Sequence, residues 1–147
     1  MKKILSLFTL VAVCLMMASC QSETDKKIKE MNEAVEGKMT AKVEETASAL
    51  YGQKSELSAD NLVDLTIAYT FLAESELAGR NDASCLADYI EKAIDCRAAA
   101  SELEPEKCQE MFANKGKADL NQRLNELKSL QDKAKAAEQA LLDQINS

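Results

Sequence analysis

The 147-residue chain has no histidine and no tryptophan, and only one proline, four glycines and six Phe or Tyr residues. Without histidine there is no Ser-His or Cys-His dyad and no imidazole to carry protons near neutral pH. Zinc is not expected either, because the cysteine spacings are too wide and no imidazole is present. A C-x-x-C pair for thiol chemistry is absent, as is a glycine-rich phosphate loop. Asp119-Leu120-Asn121 lacks the glycine and the later glutamate of a calcium loop. Positive charge is short as well: 18 Lys and Arg against 25 Asp and Glu leave a formal charge of −7. An acidic surface disfavours nucleic acid and anionic lipid headgroups as partners.

Carboxylates are plentiful, but Glu44-Glu45, Glu74 with Glu76, and Glu102, Glu104 and Glu106 fall on helix faces or beside a turn. That placement fits solvated surface rather than a paired acid–base site. The sequence therefore names no catalytic residue, no cofactor and no metal, and an enzyme is not expected. What it has in abundance is Ala, Glu, Lys and Leu, the profile of an all-α protein.

The one long apolar run is Ile4 to Met17, broken by Ser6 and Thr9 and preceded by Lys2 and Lys3. A spanning helix needs roughly 20 apolar residues, so this shorter run has the layout of a signal peptide. It closes on Met17-Ala18-Ser19-Cys20, which resembles the lipobox of bacterial lipoproteins. The resemblance implies that residues 1–19 are removed, that the Cys20 thiol takes a diacylglycerol, and that its new amino group is acylated. It implies a chain held to a membrane of the bacterial cell envelope by palmitate-like chains. Several acyl chains anchor stably, at about 0.8 kcal/mol per buried CH₂. Glu23 and Asp25 resemble the acidic surface-export signals of some such proteins. Inner face, outer membrane and cell surface all stay open. Loss of residues 1–19 leaves 128 residues with a formal charge of −9, enough for one modest core.

Residues 20–27 read as a polar tether and 28–147 as a single helical domain. Ile28, Met31, Val35, Met39, Val43, Ala47 and Leu50 recur at helical spacing, which predicts one helix ending before Tyr51-Gly52-Gln53. Ser58 or Asp60 caps a second helix whose apolar residues, Leu62 to Leu77, cover more than one face, as in a central bundle helix. Gly79 ends it, Asn81-Asp82 caps a third that continues to Leu103, and Pro105 opens a short segment to Asn114. From Ala118 a long terminal helix (118–147) carries Leu120, Leu127, Ala134 and Leu141 seven apart, as in a coiled-coil seam. The second seam, Leu124, Gln131, Glu138 and Ile145, is polar in its middle. Packing on the bundle and pairing between copies are both compatible with that pattern.

Leu65, Ala68 and Tyr69, followed by Ala87, Ile90 and Ala93, resemble a tetratricopeptide helical hairpin, with Tyr89-Ile90-Glu91-Lys92-Ala93-Ile94 similar to its second-helix signature. The resemblance implies close helix packing and a groove for a protein or peptide segment.

Apart from Cys14 and Cys20, three cysteines remain. Cys85 and Cys96 lie roughly 16 Å apart on one helix at 1.5 Å per residue, beyond the reach of about 7 Å for a disulfide. Cys96 and Cys108 flank Glu104-Pro105, so a fold-back either bridges them, at roughly 3 kcal/mol of stabilisation, or leaves two buried thiols. Three functions fit these observations. They are a non-enzymatic lipid-anchored module that binds an envelope protein or peptide, a lipoprotein self-associating through its C-terminal helix, and a periplasmic inhibitor or immunity-type protein.

Overall fold

The computed structural model describes residues 23–79 and 82–146. Among them are six α-helices, one 3₁₀ turn and no strand, packed as a small all-α bundle. The leader 1–19 and Cys20 lie outside the described residues.

Helix α1 covers residues 23–36, so the segment expected as a tether is helical from residue 23. Glu23 and Asp25 favour its positive N-terminal end, and Lys27 pairs with Glu23 at 3.0 Å one turn away. Ile28, Met31 and Ala34 are buried. The helix then stops in a Schellman motif, which corrects the expectation of one helix running to Leu50. Lys38 N–H donates to Val35 O at 3.1 Å and Met39 N–H to Ala34 O at 2.9 Å, with Lys38 at φ +54°. Helix α2, Thr40–Tyr51, continues the stripe with buried Val43, Ala47 and Leu50, while Met39 is left 52 % exposed at the break. Gly52 follows at φ −59°, right-handed rather than in the left-handed form expected of a C′ glycine.

After the 3₁₀ turn Lys54–Glu56, Ser58 Oγ accepts from Asn61 N–H at 3.2 Å and opens α3, Ala59–Ala78, with Leu57 buried beside it. Every residue from Leu62 to Thr70 is buried, so α3 is the central helix. The Thr66 and Thr70 hydroxyls donate to the carbonyls of Leu62 and Thr66 at 2.8 and 2.7 Å, which satisfies them within the helix. Asp82 Oδ1 accepts from the N–H groups of Ser84 and Cys85 and caps α4, Ala83–Leu103. Helices α3 and α4 form a hairpin packed along most of its length.

Pro105 lies in the turn before α5, Cys108–Asn114, which ends in a second Schellman motif with Gly116 at φ +68°. Helix α6, Leu120–Ile145, turns Leu120, Leu124 and Leu127 into the core. Arg123 grips Glu74 of α3 with two guanidinium N–H donors, one at 2.7 Å. Arg97 of α4 reaches Asn125 at 3.2 Å.

Candidate functional site

A groove of about 530 Å³ opens between the end of α1, α3 and the α5–α6 link. Its floor is Val35, Ile67 and Phe71, which are apolar and only partly covered or at the edge of the core. Ile67 and Phe71 stand four residues apart on α3 and so share a face. Both Schellman turns deliver lysines to it. Lys38 is the left-handed residue of the first, and Lys115 and Lys117 flank Gly116 in the second.

Lys115 is already committed, with Nζ 3.0 Å from both Asp60 Oδ2 and Asp64 Oδ1. Asp64 is 4 % exposed, and Asn32 also hydrogen bonds to it. Burial pushes the Asp64 carboxyl above the usual carboxylate range, against the opposing pull of Lys115. At Lys115, which is less deeply placed, burial works to lower the ammonium pKa. The two aspartates outweigh it and raise that pKa. Lys38, Lys117 and the lining carboxylate Glu36 make no ion pair among the described residues, so the groove presents two ammonium groups against one carboxylate beside an apolar floor. That arrangement suits an apolar segment carrying a carboxylate.

A second cleft, of about 540 Å³, lies among α4, α5 and α6 and is lined by Ile94, Arg97, Ser101, Pro105, Cys108 and Asn121 among others. Its one cation, Arg97, is held by Asn121 and Asn125. Burial raises the Cys108 thiol pKa, with Arg97 opposing. A raised pKa makes this thiol a poor nucleophile.

The chain's three tyrosines stack across the bundle. Tyr51 and Tyr69 meet edge-on at 5.7 Å, and Tyr69 and Tyr89 are tilted at 6.3 Å. Tyr51 donates to Asp95 at 2.6 Å and Tyr89 to Glu44 at 2.8 Å. Lys54 also pairs with Asp95, and that bond together with the one from Tyr51 holds the Asp95 carboxyl below its usual range. The Tyr69 hydroxyl is buried and has no well-formed hydrogen bond. Ser48 comes near enough to favour its ionised form slightly, against the burial that dominates.

Leu65, Ala68, Tyr69, Ile90 and Ala93 are all buried, and Ala87 is half-buried. They hold the hairpin together, and none of them lines the two clefts described above. Cys96 and Cys108 are buried and Cys85 is exposed, and none of the three is in a disulfide. The groove residues Asn32, Asp64, Lys38, Lys115 and Lys117 carried no motif. The available signal was Asp64, a lone acid inside the apolar run Leu62-Val63-Asp64-Leu65. Among the described residues no three His, Cys, Asp or Glu side chains gather as a metal site, and no helix is long and apolar enough to cross a membrane. The chain matches no protein-family model, no curated protein and no solved structure.

Proposed function

We propose that this protein is a lipid-anchored bacterial envelope lipoprotein whose helical bundle binds a segment of another envelope protein without catalysis. The observation that carries the reading is the groove with its Val35, Ile67 and Phe71 floor and its two unpaired lysines, in a chain that is otherwise acidic. The partner segment carries an acidic residue next to an apolar one: the apolar side chain covers Phe71, and the carboxylate meets Lys38 or Lys117. The tetratricopeptide-like α3–α4 hairpin serves as the rigid wall behind it, because Ala68 and Ala93 let the two helices close tightly.

The anchor is Cys20. With acyl chains on that residue, α1 spaces its groove residues Asn32 and Val35 about 14–18 Å along the helix from residue 23, at 1.5 Å per residue. Supporting this are the lipobox-like Met17-Ala18-Ser19-Cys20 and the short apolar run before it.

A photoreactive residue at Phe71 of the full chain, in its native envelope, tests the groove. The expected result is one protein adduct that disappears in Lys38→Glu/Lys117→Glu and is absent with the probe at Glu126. The same adducts from both positions, or none from Phe71, refute it. Mass measurement of the mature N-terminal peptide tests the anchor, with a diacylglyceryl Cys20 expected and an unmodified thiol refuting it.

A further inference from the structure

Helix α6 continues far beyond its packing. Gln131 is its last buried residue, and every residue from Asp132 to Asn146 is exposed. On this arm Leu130, Ala134, Ala137 and Leu141 recur at spacings of four, three and four, with Leu130 52 % and Leu141 61 % exposed. The stripe is turned roughly 80° from the inward stripe of Leu120, Leu124, Leu127 and Gln131, at 3.6 residues per turn. It therefore lies to the side of the inward face, and Leu130, Ala134, Ala137 and Leu141 stay uncovered by the bundle.

The charges of the arm divide into two groups. Lys128 pairs with Asp132 at 2.8 Å, Lys135 with Glu91 of α4 at 3.9 Å, and Asp143 accepts from Gln139 at 2.8 Å. Lys133 and Glu138 make no ion pair or hydrogen bond among the described residues, and they are the two charges that flank the exposed stripe. With Leu130 and Ala137 at d, and Ala134 and Leu141 at a, Lys133 falls at g and Glu138 at the following e. In a parallel coiled coil those positions meet across the interface. A second copy laid parallel thus gains two Lys133–Glu138 pairs. Laid antiparallel, with a facing d, Lys133 meets Ala140 and Glu138 meets Gln131, so no ion pair forms.

We propose that the α6 arm is a parallel homodimer interface, with Leu130, Ala134, Ala137 and Leu141 as its seam and Lys133–Glu138 pairs on both flanks. This is independent of what the groove binds. Four seam residues per copy, two of them alanine, make a weak contact in dilute solution. The Cys20 anchor proposed above, on which this contact rests, confines both copies to one surface and raises their effective concentration.

The test uses the full chain in its native envelope, with Cys85→Ser removing the exposed thiol and that parent setting the background. Ala134→Cys and Leu141→Cys, made singly, are each oxidised. Both are expected to give disulfide dimers above background, because a parallel pair brings each position beside itself. Lys133→Glu or Glu138→Lys, added to Leu141→Cys, is expected to lower the yield severalfold, and the two together to restore it. All these positions are exposed, so the bundle itself is undisturbed. No dimer at either cysteine overturns the proposal. So does a dimer at Ala134→Cys alone, the mark of an antiparallel pair, and so does a failure of the charge swap to restore the yield.

Discussion

Lys38 and Gly116 occupy the same position in two copies of one helix-ending motif, at φ +54° and +68°. In each, the N–H of the following residue reaches five residues back: Met39 to Ala34 O at 2.9 Å and Lys117 to Phe112 O at 2.8 Å. Glycine adopts that conformation freely, whereas an L side chain costs about 1–2 kcal/mol there. Lys38→Gly therefore stabilises the fold, by about 0.5–1 kcal/mol after the added freedom of the unfolded chain is subtracted. Gly116→Ala destabilises it by about 1 kcal/mol through the backbone alone, because a Cβ there meets nothing within 4 Å. Chemical denaturation of both variants checks the opposite signs. A lysine kept in strain at the groove's rim is also what a binding site looks like, since such residues gather where ligands are held.

The first of these turns is also where the sequence misled. The stripe from Ile28 through Val43 to Leu50 keeps helical spacing across the break, so periodicity alone sees one helix. Gly37 stands beside the turn, but the left-handed residue is its neighbour Lys38, which has no signature of its own. Elsewhere local chemistry was strong and readable: Ser58 and Asp82 mark helix starts, and the crowded apolar face of α3 placed it at the centre. The groove was not legible, because it joins residues 32–38, 64–71 and 115–117, and only the packing of α1 and α5 against α3 brings them together.

The tyrosine stack yields a contrast between near-identical substitutions. Tyr51→Phe and Tyr89→Phe each remove a hydrogen bond to a carboxylate, worth about 1.5–3 kcal/mol at full burial and less where water reaches it. Tyr69→Phe removes a buried hydroxyl that lacks a well-formed partner, so it is neutral or stabilising. Thermal melts rank the three, and a Tyr69→Phe loss as large as the others contradicts this. Burial, with Asp95 and Glu44 adding at the outer two, raises all three phenol pKa values, and Cys96 is pushed up to about 12. The folded chain keeps these protons while the unfolded chain releases them near pH 9–10. Stability is complete below that range and falls as pH rises above it. Tyrosinate absorbance is expected to appear together with loss of helix. A separate rise near pH 10 in the folded protein contradicts it.

Thiol reactivity follows the same burial. Cys85 is exposed at the start of α4, while Cys96 and Cys108 are buried and their pKa values raised. At pH 7.5 a maleimide modifies Cys85 in the folded domain, and the other two react only on unfolding. Mass spectrometry counts one fast and two protected thiols. Two that never react without a reductant mean that Cys96 and Cys108 are bridged.

Asp64 and Lys115 make the most telling pair to break. Lys115→Met leaves the Asp64 carboxylate buried in the wall of α3 with Asn32 as its remaining hydrogen-bond donor and Asp60 repelling it, a loss of about 3 kcal/mol at neutral pH, since Lys115 is itself partly exposed. That loss has a ceiling set by proton uptake. The folded-state pKa of Asp64 is already above its unfolded value, and removing Lys115 moves it higher. A carboxyl with a raised folded pKa takes up its proton more readily in the folded state. The variant therefore regains stability as pH falls from 7 through that pKa towards about 4, where the unfolded chain also protonates. Asp64→Asn/Lys115→Met, which removes both charges at nearly constant shape, is expected to recover most of the stability and to lose the pH dependence. Denaturation midpoints of the single and double variants at pH 4.5 and 7.5 decide it. Equal losses for Lys115→Met at both pH values mean that the lysine acts through packing of its alkyl stem and not through its charge.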